Sequence, residues 1–116
     1  MRCDPADAEA IEAVLKQHRP DGFVCANDVT AGTLMKTLEQ FGFDVPRSIR
    51  ISGIDDVRYA SLLRVPLTTL RQPCEAIGEG ALSLMLSRIE NPDLPARDLL
   101  FDCPIVVRQS CGEELS

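Results

Sequence analysis

The sequence has 116 residues, 45% of them hydrophobic and 26% charged, which suffices for one modest core and excludes two complete domains. Its 18 acidic and 12 basic residues give a formal net charge of −6 at pH 7, so the chain lacks the basic surface that binds duplex DNA. Five cysteines without a CxxC pair, and a single histidine, argue against a zinc site and favour a reducing compartment.

Targeting and membrane signals are also missing from the sequence. The first residues carry acids and lack the apolar centre of a secretory signal peptide. No apolar run approaches the length that crosses a bilayer. We therefore expect a soluble cytoplasmic protein with no membrane partner, no metal and no cofactor.

The first predicted elements are a surface helix and a strand. Asp4 and Pro5 have the residue types of an N-cap and a first helical turn. An apolar stripe follows at Ile11, Val14 and Leu15. A turn at residues 19–22 leads into residues 22–26, an apolar run typical of a strand that is covered on both faces.

A helix is predicted next, over residues 28–41, from apolar positions at helical spacing, and Gly42 follows where a left-handed residue often ends a helix. Residues 49–54 predict a second strand that ends in the pair Asp55 and Asp56. The pattern of an apolar strand with a polar end therefore occurs twice.

The second half of the chain continues the alternation. Residues 59–63 predict a short helix, and the β-branched segment 67–70 a third strand. Pro73 begins a helix over residues 73–90 with one apolar face. The remaining strand candidates are residues 99–101 and 105–107, after an exposed linker at residues 90–97.

This alternation predicts an α/β fold, a three-layer α/β/α arrangement with a mostly parallel sheet, because parallel neighbours need crossover helices. Ligands of such sheets bind outside the carboxyl ends of the strands. Four polar side chains occupy those positions: Asn27, Asp28, Asp55 and Asp56.

The roles of these four residues follow from capping and hydrogen-bonding chemistry. Asp28 is a good N-cap for the helix 28–41, so we assign it a structural role. Asn27 then presents a donor and an acceptor to a ligand. One of Asp55 and Asp56 starts the short helix that follows and the other accepts hydrogen bonds from ligand hydroxyl groups, a choice that these patterns leave open.

A catalytic site is a weaker interpretation of the same residues. Adjacent carboxylates in a strand point to opposite faces, which suits a general acid/base pair poorly. His18 lies on a charged helix and is the only histidine, and the glycines form neither a P-loop nor a GxGxxG motif. We therefore expect a binding protein without enzymatic activity.

Five segments in fixed order resemble the C-terminal part of lactose/galactose-repressor (LacI/GalR) transcription regulators, and the resemblance covers residues 5–111. The segments are Phe23-Val24-Cys25-Ala26-Asn27-Asp28, Gly42-Phe43-Asp44-Val45-Pro46, Ile51-Ser52-Gly53-Ile54-Asp55-Asp56, Pro66-Leu67-Thr68-Thr69-Leu70-Arg71-Gln72-Pro73 and Val106-Val107-Arg108-Gln109-Ser110. Each segment alone is weak, and the ordered set is specific.

The resemblance implies one lobe of a periplasmic-binding-protein-like (type I) effector domain that controls DNA binding allosterically through the angle between lobes. It places effector contacts at Asn27, Asp55 and Cys74, and leaves Asp28 and Asp56 structural. Cys74 stands where many members have a larger side chain, so the effector, a sugar, a nucleoside or a similar molecule, is not named by the sequence.

The resemblance also implies how the chain is organised. Residues 1–116 would be a single effector-binding lobe, with an inter-lobe crossing near residues 67–72, and DNA would be bound only through a helix-turn-helix that this chain lacks. The helix 73–90 would have lost its partner lobe, so we expect a homodimer, swapped through that helix, or a helix that folds back onto its own sheet. The alternatives are a periplasmic sugar-binding protein of related fold and a small α/β enzyme that uses Asp55 or Asp28.

Overall fold

The computed structural model describes residues 2–113 as alternating helices and strands. The helices are α1 (Ala8–His18), α2 (Asp28–Gln40) and α3 (Cys74–Glu90). The strands are β1 (Gly22–Val24), β2 (Arg50–Asp55), β3 (Thr68–Arg71) and β4 (Ile105–Val106). Two short 3₁₀ helices, Arg58–Ser61 and Gln109–Cys111, complete the described chain.

The sheet has the order β1-β2-β3-β4. The strands β1, β2 and β3 are parallel, and β4 returns antiparallel to β3, where Thr69 is the register partner of Val106. The predicted α/β fold with a mostly parallel sheet is therefore confirmed.

The chain divides into two compact units. The first unit contains the described residues up to Arg71 together with those from Ile105 onward, and so holds α1, α2 and the whole sheet. The second unit is Gln72–Pro104, which contains α3.

The core of the first unit lies between the inner faces of α1 and α2 and the centre of the sheet. Leu38 of α2, Ile51 of β2 and Leu67 before β3 are completely buried. The buried apolar residues are Ile11, Leu15, Cys25, Ala31, Leu34, Met35, Leu38, Val45, Ile49, Ile51, Ala60 and Leu67. The buried residues of α2 recur at helical spacing, which places their side chains on the one face of the helix that meets the core.

Two local predictions for the first half of the chain were wrong. The N-cap of α1 is Asp7, which accepts a hydrogen bond from the backbone N of Ala10, because Asp4 instead closes a turn with Ala6. The strand β1 is covered on one face only: Cys25 is buried, but the side chain of Val24 is 85% exposed. Successive side chains point to opposite faces of a sheet, and an apolar run alone does not show whether both faces are covered.

The second unit is built around α3. None of its helical residues is buried, although Gly80 allows close packing, since a Cβ there would lie 2.9 Å from Phe101 Cζ and 3.1 Å from Leu99 Cδ1. The predicted strand at residues 99–101 does not form, because this segment packs its side chains on α3 and joins no ladder. Apolar side chains remain exposed along the helix at Leu82, Met85, Leu86 and Ile89.

Candidate functional site at the strand ends

The carboxyl ends of β1, β2 and β3 lie along one edge of the sheet because the three strands are parallel. We call this region the strand-end edge and define it as residues 25–28, residues 55–57 and Arg71. Asp55, the last residue of β2, is the register partner of Arg71 in β3. Asn27 and Asp55, both predicted to contact a ligand, therefore lie at the ends of neighbouring strands of one unit, Asn27 after β1 and Asp55 as the last residue of β2.

Asn27 caps α2, the role that the sequence analysis assigned to Asp28. The Oδ1 atom of Asn27 accepts a hydrogen bond from the backbone N of Thr30 at 2.8 Å. The predicted cap is thus wrong by one residue, because Asn satisfies the capping geometry as well as Asp does and its backbone is already extended, at φ −157°. The bond occupies Oδ1 and leaves the two Nδ2 protons for a ligand.

Asp28 is completely buried and holds three segments together. Its Oδ1 accepts a hydrogen bond from Thr69 Oγ1 at 2.6 Å, and its Oδ2 accepts one from the backbone N of Val57 at 3.0 Å. A Cβ at Gly53 would lie 2.3 Å from Asp28 Oδ1, so only glycine lets the carboxylate sit against β2. The contribution of Asp28 is therefore a tertiary one that joins α2, β2 and β3, and not a helix cap.

Asp55 has a backbone conformation that is unusual for its residue type. Its φ of 123° lies in a region that favours glycine, and such strain of about 1–3 kcal/mol persists only where the surroundings enforce it. Residues in such conformations cluster at ligand sites. The outlier therefore falls on the residue that the resemblance implies as an effector contact.

Asp56 forms ion pairs with two arginines. Its Oδ1 lies 2.8 Å from Arg108 Nη2 and its Oδ2 lies 2.7 Å from Arg71 Nε, while its side chain is only 9% exposed. Burial alone would raise the pKa of Asp56, but the hydrogen bonds from Arg108 and Arg71 and their positive charges outweigh it and hold the pKa below its usual value. Neither Asp55 nor Asp56 begins the 3₁₀ helix as predicted, because its N-cap is Val57.

Arg108 and Ser110 were not identified as site residues from the sequence. Arg108 Nη1 donates to the backbone O of Leu67 at 2.9 Å, and Ser110 Oγ donates to the backbone O of Ile51. The backbone N of Thr68 donates to Ser110 Oγ at 2.8 Å. Both residues follow β4 and tie the end of the described chain to β2 and β3. The only signal for them was the Val-Val-Arg-Gln-Ser segment.

Cys74 belongs to the second unit, where it is the exposed first residue of α3. It lines a shallow surface hollow with Pro73, Glu75, Ala76 and Glu79. Within the second unit nothing polar is buried beside it, and its predicted contact with an effector stays a prediction.

One cavity of the first unit lies beside β1 and not at the predicted ligand residues. It has a volume of about 570 Å³ and is lined mainly by apolar side chains, among them Ile11, Phe23, Val24 and Leu34. Neither Asn27 nor Asp55 lines it, although Cys25 and Ala26 do. Arg2, Asp4 and Thr30 also line this cavity, so it combines an apolar wall with a few polar groups but contains none of the predicted ligand residues.

Groups suited to metal binding or nucleophilic chemistry are sparse. Among residues 2–113, no three His, Cys, Asp or Glu side chains come together in a way that would hold a metal ion. Burial raises the pKa of the Cys25 thiol to about 11, which keeps it protonated and a poor nucleophile. His18 is exposed on α1. No helix within residues 2–113 is long and apolar enough to span a membrane.

Comparison with known proteins identifies the family of the domain. The family model for a periplasmic binding protein-like domain matches residues 2–111. The HTH-type transcriptional repressor PurR of Vibrio vulnificus is 33% identical over 110 residues, which are 95% of this chain and 33% of that protein. The arabinose metabolism transcriptional repressor of Geobacillus stearothermophilus is 35% identical over 99 residues, 84% of this chain and 27% of that protein.

A solved structure is similar as well. The crystal structure of a LacI family transcriptional regulator from Enterococcus faecium with bound ribose has a TM-score of 0.75 at 26% identity, over 94% of this chain and 41% of that one. The chain spans about a third of the length of the curated relatives it matches. The resemblance carried by the ordered motifs is confirmed. The chain therefore belongs to the periplasmic binding protein-like domain family, in the form carried by LacI-type transcriptional regulators.

Proposed function

We propose that this chain is an effector-binding lobe of a LacI-type transcriptional repressor and that its strand-end edge binds a small polyhydroxylated molecule, a sugar or a nucleoside. The observation that carries the proposal is the placement of two polar side chains after neighbouring parallel strands, together with an unusual backbone at one of them. Asn27 follows β1 and Asp55 ends β2, and Asp55 has a φ of 123°, a conformation that clusters at ligand sites.

The chemistry of the two side chains fits such a ligand. The carboxylate of Asp55 accepts hydrogen bonds from hydroxyl groups, and the Nδ2 protons of Asn27 are donated to a hydroxyl or ring oxygen. Relatives support the same ligand class, since the similar structure from Enterococcus faecium contains ribose. For Cys74, at the start of α3, an effector contact is what the family resemblance alone implies.

The charge at the strand-end edge selects among such ligands. The strand-end edge carries three acidic side chains, Asp28, Asp55 and Asp56. Asp56 binds Arg71 within the edge and Arg108 beside it, so the acids outnumber these two arginines by one. A phosphorylated sugar would be repelled by this balance, whereas a neutral sugar is not. We therefore propose a neutral effector.

The same proposal includes the organisation of the whole protein. Residues 1–116 would form one lobe, with the inter-lobe crossing near residues 67–72 supported by the division of the chain after Arg71. DNA binding would belong to a helix-turn-helix outside this chain, since the formal net charge of the chain is −6. The repressor would act in the cytoplasm, by changing DNA affinity and without catalysing a reaction.

We also propose a homodimer that uses α3. The residues Leu82, Met85, Leu86 and Ile89 form an exposed apolar stripe, and each buried side chain of this size contributes about 1.5–3 kcal/mol. Sedimentation of the wild-type chain and the variant Leu86→Lys tests this proposal. We expect the wild type to associate and the variant to be shifted to monomer; a wild type that stays monomeric at high concentration would contradict it.

Ligand binding is best tested by chemical-shift perturbation, because NMR detects weak complexes. The wild-type chain is titrated with ribose, arabinose, cellobiose, adenosine and ribose 5-phosphate. We expect a neutral compound to shift the amides of residues 25–28 and 54–57, and ribose 5-phosphate to shift them less than ribose.

One variant and one control make that titration specific. Asp55→Asn keeps a residue type that tolerates positive φ but removes the charge, so the shifts should be lost. Asp21→Asn changes an exposed Asp before β1, at the opposite edge of the sheet, and should leave the shifts unchanged. Shifts that survive Asp55→Asn, or that appear away from the strand-end edge, would refute the proposal.

A further inference from the structure

Two stretches of chain connect the first unit to the second, and they lie next to each other where they emerge from the first unit. The chain passes out of it after Arg71, the last residue of β3, and returns at Ile105, the first residue of β4. Because β4 is antiparallel to β3, with Leu70 and Ile105 as register partners, the outgoing and returning segments are neighbours in the sheet. A side chain that bonds to both segments therefore fixes the positions of the two connections relative to each other.

Asp56 is such a group. One carboxylate oxygen binds Arg71, on the outgoing segment, and the other binds Arg108, on the returning segment, at 2.7 and 2.8 Å. The two arginines use separate oxygens, so the bonds do not compete. Each is a charge-assisted hydrogen bond, which is about twice as strong as a neutral one.

The position of Asp56 itself is fixed from several sides. Its backbone N donates to Thr69 Oγ1 at 3.3 Å, and its φ of 57° is the left-handed conformation, in which Asp and Asn are enriched. Thr69 in turn donates to the buried Asp28. The carboxylate of Asp56 therefore projects from a backbone that α2 and β3 hold in place.

We propose that Asp56 is a positioning residue that clamps the two inter-unit connections to each other, forming with Arg71 and Arg108 a three-residue ionic clamp. Asp56 directly follows Asp55, so a ligand held by Asp55 changes the backbone that carries the clamp. This link between ligand and connections rests on the proposed function, in which the angle between lobes is regulated. The clamp itself does not depend on it.

The clamp predicts a specific pattern of hydrogen exchange in this 116-residue chain without any ligand. Asp56→Asn preserves the shape and the left-handed backbone but removes the charge. We expect amides of β3 (Thr68–Arg71) and of residues 105–108 to exchange about tenfold faster, while amides of β1 change less than about twofold.

A second variant separates the clamp from a general stabilising role. Arg71 is half exposed and its bond to Asp56 is the one that ties the outgoing segment, so Arg71→Gln should speed exchange in β3 and leave residues 105–108 unchanged. It also keeps the test valid if Asp56→Asn fails to fold. The matched control Glu39→Gln breaks the Arg64–Glu39 ion pair of 3.0 Å elsewhere in the same unit and should affect neither segment.

Either of two results would overturn the clamp: equal acceleration in β1, β3 and residues 105–108, or no acceleration in Asp56→Asn. The sugar titration is a separate measurement. A chain that binds no sugar but shows the segmental exchange pattern keeps the clamp and loses the proposed function, and the reverse result does the opposite.

Discussion

Thr69 Oγ1 donates a hydrogen bond of 2.6 Å to the carboxylate of Asp28, and both residues are buried. The same oxygen accepts a hydrogen bond from the backbone N of Asp56. One hydroxyl group of β3 therefore connects the first residue of α2 with the loop that follows β2, the two segments that carry the predicted ligand residues.

Replacing Thr69 by valine should destabilise the first unit strongly. The substitution keeps the shape but removes the donor to Asp28 Oδ1, leaving only the bond from Val57 N to its other oxygen, and loss of a hydrogen bond to a buried carboxylate costs about 1.5–3 kcal/mol. Urea denaturation measures the change. The control Thr33→Val removes the hydrogen bond of 2.9 Å from Thr33 Oγ1 to Val29 O on an exposed helix face, and should change stability by less than about 0.5 kcal/mol. Equal effects of the two variants would contradict the role of Thr69.

Gly53→Ala should be among the most damaging single-methyl additions in the chain. The new Cβ would lie 2.3 Å from Asp28 Oδ1 and 3.2 Å from Leu67 Cδ2, both in the core, and overpacking of this kind costs about 1–3 kcal/mol or more. The matched control is Gly78→Ala, where no atom lies within 4 Å and helix propensity predicts stabilisation of about 1 kcal/mol. Thermal unfolding of both variants should therefore show shifts of opposite sign.

The ion pairs of Asp56 predict a pH dependence of stability. Its pKa in the folded chain lies below the usual value, because Arg108 and Arg71 more than offset the effect of burial. A carboxyl group with a lowered pKa contributes stability that is present above its unfolded pKa, about 3.9, and is lost as the pH falls through the folded pKa. The difference in unfolding free energy between wild type and Asp56→Asn should therefore be constant from pH 7 to about pH 5 and shrink below about pH 4.

That pH dependence is measured by urea denaturation of both chains at four pH values between 7 and 3. Asp21→Asn serves as the comparison, since Asp21 is exposed and ion-paired with no arginine within residues 2–113. A difference that stays constant down to pH 3 would show that the charge of Asp56 adds nothing to the folded state.

Two substitutions at Asn27 separate its capping role from its proposed ligand role. Asn27→Ala should lower stability by about 1 kcal/mol, because the acceptor for Thr30 N is lost, whereas Asn27→Ser retains a good cap and should lose less than about 0.5 kcal/mol. Both variants lack the Nδ2 protons, so both should weaken the ligand-induced chemical shifts. Retention of those shifts in Asn27→Ser would mean that Asn27 serves only as a cap.

The elements of this fold could be predicted because their signals are local. Apolar spacing predicts α2 and α3, and the β-branched residues near Thr69 predict β3. The strand predicted at residues 99–101 was wrong because an apolar run is as typical of a segment that packs on a helix as it is of a strand. The exposure of Val24 depends on which face of the sheet is covered by other elements, a property of the whole fold that no local pattern contains.

The sequence predicted where the candidate site residues lie in the fold, but not which contacts each of them makes. Polar residues after parallel strands predicted the strand-end edge, yet Asn27 and Asp28 exchanged their expected roles, because both residue types cap helices and only tertiary contacts decide between them. The bonds of Arg108 to Asp56 and Leu67 link residues about half the chain apart, since 52 positions separate Arg108 from Asp56. Contacts of that range have no local signature.

The burial of Cys25 has a practical consequence for the study of this chain. Its thiol is enclosed and its pKa is raised to about 11, while Cys3, Cys74 and Cys103 are exposed. Alkylating reagents at neutral pH should thus modify the exposed thiols first and reach Cys25 only when the first unit opens. Mass spectrometry of the alkylated chain would then report opening of that unit at a native residue, with no cysteine introduced by mutation.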